Sequence, residues 1–202
     1  MKTNKITGTS TYFILSLILL LLFFMLVFLV TIWLLERIPL LQEQIDISKE
    51  IEYVHNKIDP ILSKEIGKII KKYSLHYSLP PELIIAIINT ESTFNPSATS
   101  KKGAKGLMQI FSSAHPKKVK GLKDNELYYI DNNIRIGCWI FSEYYKGNVE
   151  KALTRYLGEN NDRYIRRILK TFADIVIWKT RELKKIQIKN ERIKRINANL
   201  HL

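Results

Sequence analysis

Residues 81–110 read Pro-Glu-Leu-Ile-Ile-Ala-Ile-Ile-Asn-Thr-Glu-Ser-Thr-Phe-Asn-Pro-Ser-Ala-Thr-Ser-Lys-Lys-Gly-Ala-Lys-Gly-Leu-Met-Gln-Ile. The apolar run Leu83–Ile88 ends in a single carboxylate, Glu91. Pro81 suits the first turn of a helix, and Asn95-Pro96 must stop it, because the residue before proline is pushed out of the helical region. The run therefore predicts a buried helix from Pro81 to Glu91–Ser92, followed by a turn with two spaced glycines and a short apolar segment carrying the lone amide Gln109. A carboxyl group on an apolar helix beside a polar loop keeps its proton near neutral pH. That is the property of a general acid.

The flanking sequence extends the helical pattern in both directions. Ile47, Ile51, Val54 and Ile58, then Leu62, Ile66, Ile69 and Tyr73, recur at spacings of three and four, as on an amphipathic helix. Asp59-Pro60 interrupts them with a cap followed by a first-turn proline. The expectation is one helix to about Lys57, alternatively a partly helical linker, and a second from Pro60 to about Ser74. Downstream, Asp131 or Asn132 is expected to cap a helix over Ile134–Tyr145. Asn148 should cap Val149–Leu157, ended by Gly158, and Asn161 or Asp162 a last long helix with Ile165, Ile168, Leu169, Phe172 and Val176 on one face. No alternating β pattern is present. The class is all-α.

Tyr12–Leu35 carries no charge and, as a helix ~36 Å long, could cross a hydrocarbon core of ~30 Å. A signal peptide would have a shorter apolar core and a small-residue cleavage site, whereas the run leaves through Trp33-Leu-Leu-Glu-Arg37. An uncleaved anchor is expected. Lys2 and Lys5 before it balance Arg37 and Lys49 after it, so basic residues alone do not orient it.

The net charge is +13, which suits an acidic polymer or an anionic surface; no nucleic-acid recognition motif accompanies it. Cys138 is the only cysteine and sits in an apolar helical pattern, so it reads as a buried structural thiol. His55, His76, His115 and His201 lack metal-ligand spacing, and neither a metal nor a cofactor is expected. Lys179–Arg195 is strongly basic over an incomplete apolar stripe. This tail reads as a solvated helical extension, or as an attachment to anionic lipid or wall polymer.

The pattern Glu91-Ser92-x-Phe94-Asn95-Pro96-x-Ala98-x-Ser100-x-x-Gly103-Ala104-x-Gly106-Leu107-Met108-Gln109-Ile110, preceded by Tyr77–Thr90, resembles the soluble lytic transglycosylase family. These are lysozyme-like enzymes that cut the glycan strands of bacterial peptidoglycan. The resemblance continues through Asn132-Asn133-Ile-Arg-Ile-Gly137 and Ala152-Leu153-Thr-Arg-Tyr156, covering roughly residues 73–172. It implies a lysozyme-like helical domain in which Glu91 alone serves as acid and then base, leaving a 1,6-anhydromuramoyl end without consuming water. By the same resemblance Ser100, Gln109, Met108, Phe111 and Tyr156 are expected near the sugars, with a plain turn residue as the alternative for Ser100 and core packing as the alternative for Met108 and Phe111. Ser92, Asn95, Pro96, Gly103 and Gly106 are expected to shape the motif.

The expected organisation is then a short cytoplasmic segment 1–11, an anchor 12–35, a membrane-proximal helical linker 36–72, a catalytic domain 73–172 and a basic tail 173–202. The implied location is the bacterial inner membrane, with the catalytic domain on the outer side and peptidoglycan as partner. Two departures stand out. The family commonly has Asn after the motif tyrosine, where this chain has Leu157, and 111–129 is basic and poorly matched. A goose-type hydrolytic muramidase would need a second carboxylate, for which Asp124, Glu126 and Asp131 are the candidates. A wall-binding module without turnover is the remaining alternative.

Overall fold

The computed structural model describes residues 8–42, 46–158 and 161–200. They form two compact units, Met1–Gln44 and Ile45–Leu202. In the first, α1 runs from Gly8 to Gln42. Its stretch Tyr12–Ile32 is long and apolar enough to cross a membrane, with mean hydropathy 3.3 and no residue of the window buried within the protein. The expected segment 1–11 lies mostly outside the described residues.

The second unit is built of α2 (Ile47–Val54), α3 (Pro60–Tyr77), α4 (Pro81–Glu91), α5 (Ile130–Tyr144), α6 (Val149–Leu157) and α7 (Asp162–Leu200), with two short 3₁₀ turns at Ser112–Ala114 and Asp124–Tyr128. The described residues hold no strand, only isolated bridges pairing Lys105 with Thr99 and with Ile110. The protein is all-α.

At the centre is α4. Every side chain from Leu83 to Ile88 is fully buried, as expected of a helix that is apolar on all faces rather than along one stripe. It is wrapped by α2, α3 and α7. Ile51 of α2 and Ile66 and Ile70 of α3 belong to this core, as do Ile165, Ile168 and Ile175 of α7. The compact unit therefore begins upstream of residue 73, and the segment read as a linker supplies core side chains from Ile47 onward. Gly67 is where α3 approaches α2: a Cβ there would lie 3.0 Å from the Ser48 backbone nitrogen.

Helix ends follow local chemistry in some places and tertiary contacts in others. Asp59 accepts from the amides of Ile61 and Leu62, both at 2.9 Å, and starts α3 at Pro60. Asn148 accepts from Lys151 at 2.9 Å and starts α6. Helix α3 continues past Ser74 to Tyr77 because the stop comes from Ser78, in the left-handed conformation (φ 53°), with the Leu79 amide on the Ser74 carbonyl at 2.8 Å. The last helix shows no break at 172–173.

Helix α5 begins at Ile130, a turn earlier than its sequence suggests, and neither proposed cap serves. Asp131 accepts from the Tyr73 hydroxyl at 2.7 Å and pairs with Lys72 at 3.0 Å. Asn132 donates to the Glu126 carbonyl at 3.2 Å. Cys138 is buried and reduced, and burial pushes its thiol up. A further tie joins three helices: Lys179 of α7 lies 2.8 Å from Glu50 of α2 and 2.6 Å from Glu82 of α4.

Candidate active site

Glu91 is the last residue of α4, and the motif that follows folds back over it. The Ser92 hydroxyl donates to the Leu107 carbonyl at 2.8 Å and so joins the helix end to the second half of the motif. Asn95 accepts from the Ser97 amide at 2.9 Å, an Asx turn that leads the chain through Pro96. Ser100 closes the next turn: its hydroxyl accepts from the Ala104 amide at 3.0 Å, and its carbonyl accepts from Gly103 at 2.9 Å. Gln109 donates from its amide nitrogen to the Gly106 and Ala98 carbonyls at 2.9 and 3.2 Å. Its amide oxygen has no partner among the described residues.

Asn133 of α5 locks this loop from below. It is fully buried. Its Oδ1 accepts from the Met108 amide at 2.7 Å, while Nδ2 donates to the carbonyls of Leu127 at 2.7 Å and Lys105 at 2.9 Å. Gly106 leaves room for that amide: it holds φ +73°, and a Cβ there would lie 2.6 Å from the Leu127 carbonyl oxygen. Gly137, one turn along α5, admits the Met108 side chain, whose Cβ would be 2.9 Å from a Cβ at 137.

These supports frame a cleft of about 520 Å³ lined by Glu91, Ser100, Gln109, Phe111 and Tyr156, together with Lys102, His115, Tyr144, Arg155 and Leu157. Glu91 and four of the five residues expected near the sugars thus share one cavity. Met108 does not. Its side chain is fully buried against α5 and offers nothing to a ligand; its backbone, held by Asn133 and by the Tyr156 hydroxyl at 2.8 Å, is what the site uses. Leu157 lines the cleft at the place where the family pattern commonly has Asn, replacing an amide with an apolar wall.

Glu91 is the only carboxylate among the described residues lining this cleft. Burial pushes it up to about 7, against two opposing influences, the nearby Tyr164 hydroxyl and the positive charge of Arg167. Both come from the first turns of α7. Arg167 places its guanidinium 5.1 Å from the centre of the Tyr164 ring and reaches the Thr90 carbonyl at 3.5 Å. Tyr156 and Tyr164 are both held protonated, chiefly by burial and then by the nearby Glu91 charge, so each can act as a donor. The motif points to Tyr156 at this site, whereas Tyr164 and Arg167 carry no mark of it in the sequence.

The carboxylates considered for a second catalytic role are engaged elsewhere. Asp124 pairs with Lys105, Glu126 accepts from the Lys123 amide at 2.6 Å, and Asp131 is bound by Tyr73 and Lys72. None of the three lines the cleft.

Residues 68–170 match the family described as the transglycosylase SLT domain, which covers half of the chain. The chain belongs to this family. It is 33% identical over 115 residues to the membrane-bound lytic murein transglycosylase C of Yersinia pestis (strain Pestoides F), covering 52% of this chain and 32% of that protein. The same figures hold for the protein of that description from Yersinia pseudotuberculosis serotype O:1b. The chain spans about a third of the length of the curated relatives it matches. Among solved structures, lytic transglycosylase Slt of Pseudomonas aeruginosa, in an inactive mutant form, is similar over 52% of this chain and 20% of that one, at 23% identity and a TM-score of 0.43. The 70 kDa soluble lytic transglycosylase of Escherichia coli is similar over 63% and 23%, at 23% identity and a TM-score of 0.45.

Removing the Tyr164 hydroxyl tests Glu91 as a general acid in this transglycosylase SLT member. Tyr164→Phe removes a donor that favours the carboxylate, so Glu91 should hold its proton to higher pH. A general acid works only while protonated, and activity should fall above about pH 7 in the native protein. In the variant that alkaline limb should move upward, and kcat should drop about tenfold, because the carboxylate formed after proton transfer loses the stabilising influence of the Tyr164 hydroxyl. A pH–rate profile of glycan-strand cleavage reads both. An unmoved limb would separate Tyr164 from Glu91.

Proposed function

We propose that the chain is a membrane-anchored peptidoglycan lytic transglycosylase in which Glu91 acts as acid and then base. The observation that carries this reading is a single carboxyl group among the described residues lining the cleft, with its proton affinity raised to about pH 7. Cleaving a glycosidic bond between muramoyl and glucosaminyl sugars requires a proton on the leaving oxygen and stabilisation of an oxocarbenium-like centre. Protonated Glu91 supplies the first.

As the family resemblance implies, the acetamido oxygen of the muramoyl sugar attacks C1 as the C1–O4 bond breaks, and the described lining residues include no second carboxylate that would take its place. Glu91, now ionised, takes the proton of the muramoyl 6-hydroxyl, and O6 displaces the acetamido oxygen at C1. The products are a free 4-hydroxyl on the glucosaminyl sugar and a 1,6-anhydromuramoyl end. Glu91 regains its proton and no water is consumed. Ser100, with its hydroxyl proton available, and Gln109, with its amide oxygen available, are suited to orient the acetamido group and ring hydroxyls. Phe111, 42% exposed, offers an apolar face to a sugar ring.

The apolar stretch Tyr12–Ile32 and the membrane-bound relatives support an anchor. The proposed arrangement is a single span of the inner membrane with residues 45–202 on the side of the wall. Digestion of purified peptidoglycan followed by mass analysis of the released fragments tests the chemistry. Anhydromuramoyl ends are expected throughout. Reducing ends that carry oxygen from labelled water would instead mark a hydrolase and overturn the proposal.

A further inference from the structure

The cations around the cleft fall into two groups. Lys105 is neutralised by Asp124, and Lys118 by Glu143 while lying 4.1 Å from the centre of the Trp139 ring. Lys102 and Arg155, which line the cleft itself, have no carboxylate partner among the described residues. Both are exposed, and both sit on firmly held backbone. Lys102 is carried by the turn that the Ser100 side chain closes on the Ala104 amide. Arg155 precedes Tyr156, whose hydroxyl is fixed to the Met108 carbonyl. Burial, and then the Lys118 charge, hold His115 below its usual value, so it adds no full charge at neutral pH. The described walls of the cleft thus combine a proton-retaining carboxyl with two uncompensated permanent cations.

A neutral polysaccharide gives such a pair nothing to bind, whereas a muramoyl sugar carries a carboxylate on its 3-O-lactyl arm or on the stem peptide attached there. We infer that Lys102 and Arg155 form a carboxylate-binding subsite that selects glycan strands bearing free acidic groups on the muramoyl side chain. The guanidinium can engage a carboxylate through two parallel N–H bonds and the ammonium through one, from separate segments of the cleft wall. This inference rests on the proposed activity and adds a substrate preference to it.

The test compares the full-length protein and its Lys102→Gln/Arg155→Gln form in detergent micelles, on soluble strands of equal length. One set bears stem peptides with free carboxylates, a second the same peptides with those carboxylates amidated, and a third no peptide but a free lactyl carboxylate. On the first set the double variant should raise KM about five- to tenfold with kcat within about twofold, the range expected of exposed charge pairs acting together. On the amidated set the native protein should already show the raised KM, and the variant should add nothing.

A raised KM on the peptide-free set assigns the contact to the lactyl carboxylate. An unchanged one assigns it to the stem. A Lys64→Gln/Lys68→Gln form, which loses equal charge from the exposed face of α3, should behave as native. Equal KM for native and variant protein on all three sets of strands overturns the subsite. Absence of anhydromuramoyl products from the native protein overturns the underlying activity instead, so the two failures are distinguishable.

Discussion

Glu91→Gln should abolish strand cleavage while making the folded protein more stable at alkaline pH. The catalytic loss follows from one group doing two jobs. Proton donation to the leaving oxygen and proton removal from the 6-hydroxyl are each worth roughly 10²-fold or more, and an amide can do neither, so a fall of at least about 10³-fold is expected. The stability gain follows from linkage. Glu91 has its folded-state value raised from 4.5 to about 7, chiefly by burial.

The folded state therefore binds the proton more tightly than the unfolded chain does. The stability this contributes is fully present below pH 4.5 and is lost as pH rises to about 7. Above that, the native protein carries a largely buried charge whose counterweights among the described residues are the Tyr164 hydroxyl and Arg167. Glutamine keeps the shape without the charge, so it should gain about 1–2 kcal/mol over the native protein at pH 8 and almost nothing at pH 4. Denaturant unfolding of the full chain at the two pH values, beside fragment release, measures both halves. Retained release would move the chemistry to another acid, and an unchanged pH dependence of stability would mean that Glu91 is solvated as in water.

What made this site legible in the sequence was contiguity. The run Leu83–Ile88 is too apolar to have a solvent face, so α4 had to be central, and a carboxylate ending it had to be desolvated. The turn chemistry of Asn95-Pro96 and the caps Asp59 and Asn148 are equally local, and they appear where the residues place them. The remainder is set across distance. Asp131 resembles a helix cap in sequence, but the Tyr73 hydroxyl claims it. Met108 could be read as ligand surface or as core, and the hole that Gly137 opens decides for core. Tyr164 has no local mark at all; it meets Glu91 because α7 packs along α4. Side-chain contacts of this kind have no period and no spacing, and only the packed structure supplies them.

Asn133→Ala should be the most damaging substitution for the motif, although Asn133 faces away from any ligand. Its single side chain satisfies the Met108 amide and the carbonyls of Lys105 and Leu127, all inside the protein. Alanine leaves the Met108 amide and the Leu127 carbonyl without those partners, while the Lys105 carbonyl keeps the Ile110 amide at 2.9 Å, in a space too tight for easy rearrangement, since even a Cβ at Gly106 would collide. A buried polar group deprived of its partner costs about 1–3 kcal/mol, and partial relaxation makes about 3–5 kcal/mol a reasonable sum. Asn133→Asp is the informative companion. It keeps the acceptor for Met108 but turns both donors into repulsion against the Leu127 and Lys105 carbonyls, so it should be at least as unstable at neutral pH and recover partly in acid, where a protonated carboxyl can donate once. Equilibrium unfolding of each variant gives the cost, and hydrogen exchange at Met108 locates it. The Met108 amide should lose protection first in Asn133→Ala, because it has no other acceptor. The functional consequence follows through the same backbone: the Met108 carbonyl anchors Tyr156 and the adjoining Gln109 lines the cleft, so KM should rise before kcat falls. A variant that unfolds normally and keeps native KM would show that the loop holds its shape without Asn133.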